Sequence, residues 1–324
     1  MQTIEYYVKE FNSYLEENIK SVPAVKLYDP MVYIMGFGGK RLRPALTLMT
    51  TALFDKDYKE AFSAAMAIEV FHNFSLVHDD IMDKAPIRRG RETIHKKWDI
   101  NTGILSGDAM LITAYRYLEN YSGKNFKSMV QLFSKSAIEV CEGQQYDMDF
   151  ETRDDVTIAE YLKMIEFKTA VLLAAAIKMG ALVAEAPLAE QDMLYEFGRN
   201  LGIAFQLQDD YLDAFGNPES FGKQNGGDII ENKKTFLYLK TKELCNSEEL
   251  KELDHLFSLK PADPTTKIRI VKELFETSGA AEESKMAIES YTRKAFDYLD
   301  NLPIDEGRKF VLRNFGEHLI NREF

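Results

Sequence analysis

Two acidic clusters, Asp79-Asp80-Ile81-Met82-Asp83 and Asp209-Asp210-Tyr211-Leu212-Asp213, share one spacing and lie 130 residues apart. Each is set in an apolar segment with no glycine or proline inside the cluster. At about 3.6 residues per turn, a helix stacks the first and last aspartates of such a cluster and turns the middle one roughly 100° away. Carboxylates on otherwise apolar helices are costly to bury without counter-ions. Hard cations meet that cost. Mg²⁺ in particular takes one or two carboxylates and leaves the rest of its shell to water and phosphate oxygens.

A single Asp-Asp-x-x-Asp reads as a solvated helix face; the basic residues around this pair change the reading. Gly38-Gly39-Lys40-Arg41-Leu42-Arg43-Pro44 precedes the first cluster, and Arg88-Arg89-Gly90 follows it. Lys168-Thr169 interrupts an apolar stretch, and Lys223 and Lys233-Lys234-Thr235 trail the second cluster. Carboxylates combined with Arg and Lys make a site for a substrate rich in phosphate oxygens. No Gly-x-x-x-x-Gly-Lys-Ser/Thr loop is present, which excludes a P-loop nucleotide site.

Glycine and proline are sparse, 18 and 9 in 324 residues, which favours helices over many short strands. Helices are expected over residues 3–20, 43–54, 58–84, 103–120, 124–150, 157–184 and 190–215, with shorter ones from 235 onward. The first acidic cluster falls at the end of 58–84 and the second in 190–215. Thr157-Ile158-Ala159-Glu160 is a capping box that opens its helix. Gly216-Asn217-Pro218 breaks the chain, and residues 222–227 form a loop. No stretch reads as a linker. The expectation is one all-α domain over residues 1–324, a helical bundle with its cavity in the core.

A net charge of −12 disfavours nucleic acid as a partner. Cys141 and Cys245 sit inside helical segments, so no disulfide framework is expected, in keeping with a reducing cytosol. Residues 1–19 carry charges throughout and lack the apolar core of a signal peptide. The most membrane-like run, 170–184, is interrupted by Lys178 and is shorter than the roughly 20 residues a spanning helix needs. A buried alanine-rich helix is expected there, and no transmembrane segment.

These residues together resemble the trans-isoprenyl diphosphate synthases, which include farnesyl and geranylgeranyl diphosphate synthases. The resemblance runs in family order over most of the chain. It takes in Gly-Gly-Lys-x-x-Arg at 38–43, His72, Asp79 to Asp83 and Arg88-Arg89-Gly90. It continues through Gly143-Gln144, Lys168-Thr169 and Phe205-Gln206-Leu207-Gln208-Asp209-Asp210-Tyr211-Leu212-Asp213, and closes with Lys223, Gly227-Asp228 and Lys233-Lys234-Thr235. Gly216-Asn217-Pro218 departs from a common Gly-Asp-Pro, a change that both residues' fitness for turns accommodates.

The resemblance implies an isoprenoid-synthase fold and the following chemistry. An allylic diphosphate (dimethylallyl, geranyl or farnesyl) binds through three Mg²⁺ ions held between the two aspartate-rich helices. Asp79, Asp83 and Asp209 are the implied direct ligands. Asp80, Asp210 and Asp213 hold metal-bound waters, with direct ligation by Asp213 as an alternative. Arg88, Lys168, Lys223 and Lys233 contact the allylic diphosphate. Isopentenyl diphosphate binds without metal through Lys40, Arg43, His72 and Arg89. Thr169, Gln206 and the Lys168 carbonyl face the allylic cation. The departing pyrophosphate takes the final proton, so no side-chain base is assigned. A cytoplasmic homodimer is implied.

Product length turns on what lies below the first cluster. Ser75 and Phe74 stand four and five residues before Asp79, and Phe71 eight before it. At about 1.5 Å per residue, Phe74 lies roughly 7–8 Å and Phe71 roughly 12 Å beneath Asp79. Either can be the tunnel floor; helical phase favours Phe71, with Phe74 flanking it. In the family, aromatics at both the fourth and fifth positions accompany a fifteen-carbon product. A small fourth residue, with no insertion in the cluster, resembles the geranylgeranyl type. A twenty-carbon product is therefore expected, with farnesyl diphosphate as the alternative. A terpene cyclase would need no second diphosphate site, and a non-catalytic subunit of a heteromeric synthase would be expected to lose acidic motifs; both rank lower.

Overall fold

The computed structural model describes residues 2–19, 26–216 and 226–320; Lys223, Asn217 and residues 222–225 of the expected loop lie outside that range. The described chain is all-α. The first helices are α1 (Ile4–Asn18), α2 (Asp29–Met35), α3 (Leu42–Leu53), α4 (Phe62–Met82), α5 (Ile94–Lys97), α6 (Ile100–Leu118), α7 (Gly123–Thr152) and α8 (Ile158–Ile165). They are followed by α9 (Val171–Val183), α10 (Leu188–Phe215), α11 (Gly227–Glu231) and α12 (Phe236–Leu244). The last are α13 (Ser247–Phe257), α14 (Thr265–Thr277), α15 (Ala280–Asp300) and α16 (Glu306–Ile320). A small antiparallel hairpin, β1 (Ile87–Arg88) with β2 (Arg91–Glu92), pairs Ile87 with Glu92 and follows the first acidic cluster.

The expected helix over 58–84 is interrupted at its start. Tyr58–Ala61 is a 3₁₀ turn, capped by Asp57, whose carboxylate accepts the Lys59 N–H at 3.0 Å. At the other end α4 stops at Met82 and Asp83 is its C-cap, with its N–H on the Asp79 carbonyl at 2.9 Å. The stacking of Asp83 on Asp79 thus survives in the last turn.

The expected helix over 157–184 opens on its capping box, in which Thr157 Oγ1 accepts the Glu160 N–H at 3.2 Å and Glu160 Oε2 accepts the Thr157 N–H at 2.9 Å. It does not continue regularly. Glu166–Ala170 is a π turn lying between α8 and α9, and it carries Lys168 and Thr169. Such turns insert one extra residue into a helix and are frequent at functional sites. Room for it comes from glycines on two other helices. A Cβ on Gly143 would lie 2.7 Å from Lys168 Cα, and one on Gly202 would lie 2.7 Å from Ala170 Cα.

Two compact units emerge from the packing. One comprises Met1–Ile138, Leu172–Tyr195 and Leu302–Val311, the other Glu139–Val171, Glu196–Asn301 and Leu312–Phe324. In the first, α4 lies along α6, and α3 packs on α1 and α4, burying Phe11, Leu46, Met49, Ile68 and Phe71. The alanine-rich α9 meets α3 closely. Thr47 Oγ1 donates to the Ala176 carbonyl at 2.9 Å, and Thr51 Oγ1 to the Gly180 carbonyl at 3.0 Å. Lys178, the cation of α9, reaches Asp192 at 2.5 Å. Among the described residues no helix is long and apolar enough to cross a membrane. In the second unit α12 packs on α8, α14 and α15 around Tyr161, Leu207, Phe236, Val271 and Phe275. Asp79 to Asp83 belong to the first unit and Asp209 to Asp213 to the second.

The α3–α9 contact generates a test. A Cβ on Gly180 would land on the Thr47 carbonyl oxygen. Overpacking costs roughly 1–3 kcal/mol, against about 1 kcal/mol returned by alanine's better helix propensity. Gly180→Ala is therefore expected to lower unfolding free energy by up to about 2 kcal/mol in a denaturant titration. A stabilised variant would show that the helices separate freely at this point.

Candidate active site

On α4 the first acidic cluster already has an internal cation. Arg88, from β1, donates through Nε to Asp80 Oδ1 at 2.7 Å and through Nη2 to Asp79 Oδ2 at 3.2 Å. Asp80 is 2% exposed, whereas Asp83 stands in solvent. Burial pushes the Asp80 carboxyl up to about 6 even with Arg88 opposing the shift. His78 is turned away onto α6, where its Nε2 lies 3.3 Å from the Ile104 carbonyl, against the surface left open by Gly107.

A cationic group forms beside it in the same unit. Arg43, in the first turn of α3, donates from Nη1 to His72 Nε2 at 3.3 Å. Burial holds the His72 imidazole well below its usual range, reinforced by Arg43, Arg89, Arg88 and Arg41. The ring is therefore neutral and can accept that hydrogen bond. Arg89 donates to the Gly38 carbonyl at 2.5 Å. Its guanidinium comes so close to Gly39 that a Cβ there would lie 2.7 Å from Arg89 Cζ. Lys40 is exposed and lines an open groove of about 550 Å³ against Ile4, Val8 and Asn12 of α1. Arg43, His72 and Arg89 thus converge around the Gly-Gly turn, with Lys40 at the edge of the same loop.

In the second unit a chain of hydrogen bonds runs through the second cluster. Thr169 Oγ1 donates to Gln206 Oε1 at 3.1 Å, and Gln206 Nε2 donates to Asp210 Oδ1 at 2.9 Å. The buried Tyr161 hydroxyl donates to the other carboxylate oxygen of Asp210. With Asp210 ionised, as it would be beside a bound cation, its carboxylate only accepts and sets the direction of the whole chain. The Gln206 amide must point its nitrogen at Asp210 and its oxygen at Thr169, which leaves the lone pairs of Thr169 Oγ1 available.

Asp213 Oδ2 accepts the Asp228 N–H at 3.0 Å, and Asp228 lies 3.6 Å from Lys233. Lys168, in the π turn, pairs with Asp147 at 2.5 Å. Burial opposes the charge on Lys233, but Asp228, Glu231 and Asp147 hold its ammonium above the usual lysine range. Desolvation and the neighbouring Asp228 push the Asp210 carboxyl up. Asp228 is itself raised to about 6, first by burial and then by Asp213, Glu231 and Asp209, with Lys233 opposing.

The residues below the first cluster form an aromatic group. Phe71 lies 5.5 Å from Phe74 and 5.3 Å from Phe133 of α7, ring centre to ring centre, and Tyr115 of α6 closes on Phe133 at 4.9 Å. Phe74 also meets His78 at 4.8 Å, while the Ser75 hydroxyl turns back to the His72 carbonyl at 2.8 Å.

The donors fit a hard divalent cation. They are oxygens only, and burial holds the Asp80, Asp210 and Asp228 carboxyls above the usual range, so ionising them together favours a bound cation. Among the described residues no group of three acidic, histidine or cysteine side chains could hold a metal by itself. An ion held by one or two of these carboxylates would leave the rest of its shell to water and substrate oxygens, the habit of Mg²⁺.

Three participants carried no role in the sequence reading. Asp147 stands one helical turn after Gly143, on the face that meets Lys168, and that spacing is a usable signal. Asp228 sits inside a quoted motif but its partner Asp213 is far away in sequence. Tyr161 reaches Asp210 only by tertiary packing.

Residues 24–274 match the polyprenyl synthetase family. A geranylgeranyl diphosphate synthase of Methanosarcina mazei is 37% identical over 100% of this chain and 99% of its own length. A geranylfarnesyl diphosphate synthase of Natronomonas pharaonis is 34% identical over 97% of this chain and 95% of its own length. A crystal structure of geranylgeranyl pyrophosphate synthase superposes with a TM-score of 0.95, at 50% identity and 100% coverage of both chains.

The raised carboxyls set a pH dependence. An unperturbed aspartate ionises at about pH 4, whereas Asp80 and Asp228 hold their protons to about 6. The folded chain then binds more protons than the unfolded chain between those values, so without metal their contribution to stability falls as pH rises through that window. A divalent cation held by these carboxyls would have to displace those protons. Stabilisation by Mg²⁺, read as a melting-temperature shift, is expected to be larger at pH 7.5 than at pH 5. Equal shifts at both values would separate these carboxyls from the metal.

Proposed function

The chain belongs to the polyprenyl synthetase family and is a prenyltransferase, and on that premise we propose that it joins isopentenyl diphosphate to allylic diphosphates, with geranylgeranyl diphosphate as product. The observation that carries the product assignment is full-length likeness to proteins named for that product. A fifteen-carbon product remains the alternative from the residues below the cluster, and the Natronomonas relative gives a twenty-five-carbon alternative.

In this reading Asp79, Asp83 and Asp209 hold Mg²⁺, and Asp80, Asp210 and Asp213 hold its waters. Magnesium, when bound, supplies positive charge to the allylic diphosphate as its C–O bond breaks. Arg88, Lys168, Lys223 and Lys233 neutralise the same leaving group from the protein side. For Arg88 this means leaving Asp79 as metal and substrate arrive. The free lone pairs of Thr169 Oγ1, together with the Lys168 carbonyl, face the allylic cation, and the Asp210–Gln206 chain keeps them turned that way. Water would quench that cation, so the wall must be apolar. The packed rings of Phe71, Phe74 and Phe133 support a role in such a wall. Lys40, Arg43, His72 and Arg89 bind isopentenyl diphosphate without metal. Its double bond is alkylated, and the departing diphosphate takes the proton.

The chain is read as one functional domain that works as a cytosolic homodimer. The pairing face we assign is on α6. Ile100, Ile104, Leu105 and Ile112 of that helix are 42–61% exposed. Large apolar side chains left this open on one helix are what an interface would cover.

Incubation with labelled isopentenyl diphosphate, farnesyl diphosphate and Mg²⁺ is expected to yield a twenty-carbon diphosphate; absence of incorporation would overturn the assignment. Phe71→Ala and Phe74→Ala, assayed singly, are expected to lengthen the product in at least one case. If neither does, the aromatic group is not the floor. Leu105→Glu with Ile112→Glu is expected to convert the dimer to monomer in light scattering. A double variant that still elutes as a dimer would move the interface elsewhere.

A further inference from the structure

Arg41 stands in the middle of the Gly-Gly-Lys-x-x-Arg loop, yet its side chain points inward. It is 5% exposed, at the N-cap of α3, with a left-handed backbone at φ 48°. For a residue with a Cβ that conformation is strained, and Arg89, which contacts the same loop, has φ 51°. Such strain persists only where surroundings over-determine it. Here they do. One arm of the Arg41 guanidinium donates to Glu69 Oε1 and the other to the Met35 carbonyl. Glu69, on α4, is 3% exposed, and Asn73 one turn later donates to it at 3.0 Å. His72 lies between Glu69 and Asn73 in sequence and accepts from Arg43.

Glu69 also has an electrostatic place. It opposes the effect of burial on both Arg43 and Arg89, which repel one another. Guanidiniums gathered in low dielectric need such a counter-charge when no anionic ligand is bound. Glu69 lies beneath the cluster and is spoken for by Arg41, so it is not displaced when a ligand arrives.

Resting on the assignment of Lys40, Arg43, His72 and Arg89 to isopentenyl diphosphate, we propose that Arg41 and Glu69 are positioning residues for that site. Arg41, forked between Glu69 and the Met35 carbonyl, fixes the loop that presents Lys40 and Arg43, and Glu69 lets the cationic group assemble before the diphosphate arrives. Neither residue touches the substrate.

The sign of one substitution separates this role from simple charge. If Glu69 acted only through its field, Glu69→Gln would remove a negative charge near an anion site and tighten binding. If it positions the loop, the same change weakens binding. Calorimetric titration of isopentenyl diphosphate without metal is expected to show about tenfold weaker binding for Glu69→Gln, the equivalent of about 1.4 kcal/mol. Arg41→Lys keeps the charge but cannot span both acceptors, and is expected to be weakened as much. Affinity for a non-hydrolysable allylic diphosphate with Mg²⁺ is expected to stay within about twofold, a difference of roughly 0.4 kcal/mol.

Unchanged or tighter isopentenyl diphosphate binding in Glu69→Gln would overturn the proposal. So would wild-type affinity in Arg41→Lys, or an equal loss for the allylic analogue. If Glu69→Gln does not fold, Arg41→Lys and Asn73→Ala decide by the same criteria. The assay needs no turnover. A wild-type chain that binds isopentenyl diphosphate but does not incorporate it would sink the proposed function and leave this inference standing.

Discussion

Asp80, Glu69, Arg41 and Asp210 all sit where water is scarce, and each is answered by a partner at hydrogen-bond distance. That requirement organises the molecule. A buried charge that loses its partner costs about 3–5 kcal/mol, so the helices carrying these groups cannot slide past one another without penalty. Arg88 on Asp79 and Asp80 ties the small hairpin to α4. Arg41 on Glu69 ties the Gly-Gly loop to the same helix. Tyr161 on Asp210 ties α8 to α10. In each case an apolar frame supplies the stability and the polar pair supplies the register.

The same pairs make the sites polarised. His72 is neutral because guanidiniums and burial disfavour its proton, so it accepts rather than donates. Gln206 turns its amide nitrogen to Asp210 and its oxygen to Thr169, so its dipole is oriented along the chain. Asp80 and Asp228 retain protons to about pH 6, since burial outweighs the single cation each has nearby. A site with surplus carboxylate and a site with surplus guanidinium suit different halves of a metal-dependent condensation. In the proposed reading the acidic sets would take cations with a metal-bound diphosphate, and the Arg43–His72–Arg89 group a bare one.

Packing details decide how these groups are presented. Gly143 and Gly202 have no catalytic chemistry, yet a side chain on either would collide with the backbone of the π turn that displays Lys168 and Thr169. Gly39 has the same relation to Arg89. Small residues here are the negative image of functional ones, each marking where another backbone or guanidinium must come close.

Local spacing determined a good deal of this. The paired Asp-Asp-x-x-Asp clusters, the capping box at Thr157, the buried alanine-rich helix and the all-α character follow from periodicities of three and four residues and from sparse glycine and proline, which act within a turn or two of chain. The order of the basic motifs pointed to the family for the same reason, since each motif is contiguous. Tertiary structure alone decided the rest. The break of 157–184 into a π turn depends on glycines from α7 and α10. Asp228, Tyr161 and Asp147 gained roles through partners 15 to 49 residues away. Arg41 reads like its neighbours Lys40 and Arg43 in sequence, yet it faces inward. Its direction is set by a carboxylate on another helix, because a buried charge takes whatever partner the packed fold brings within reach.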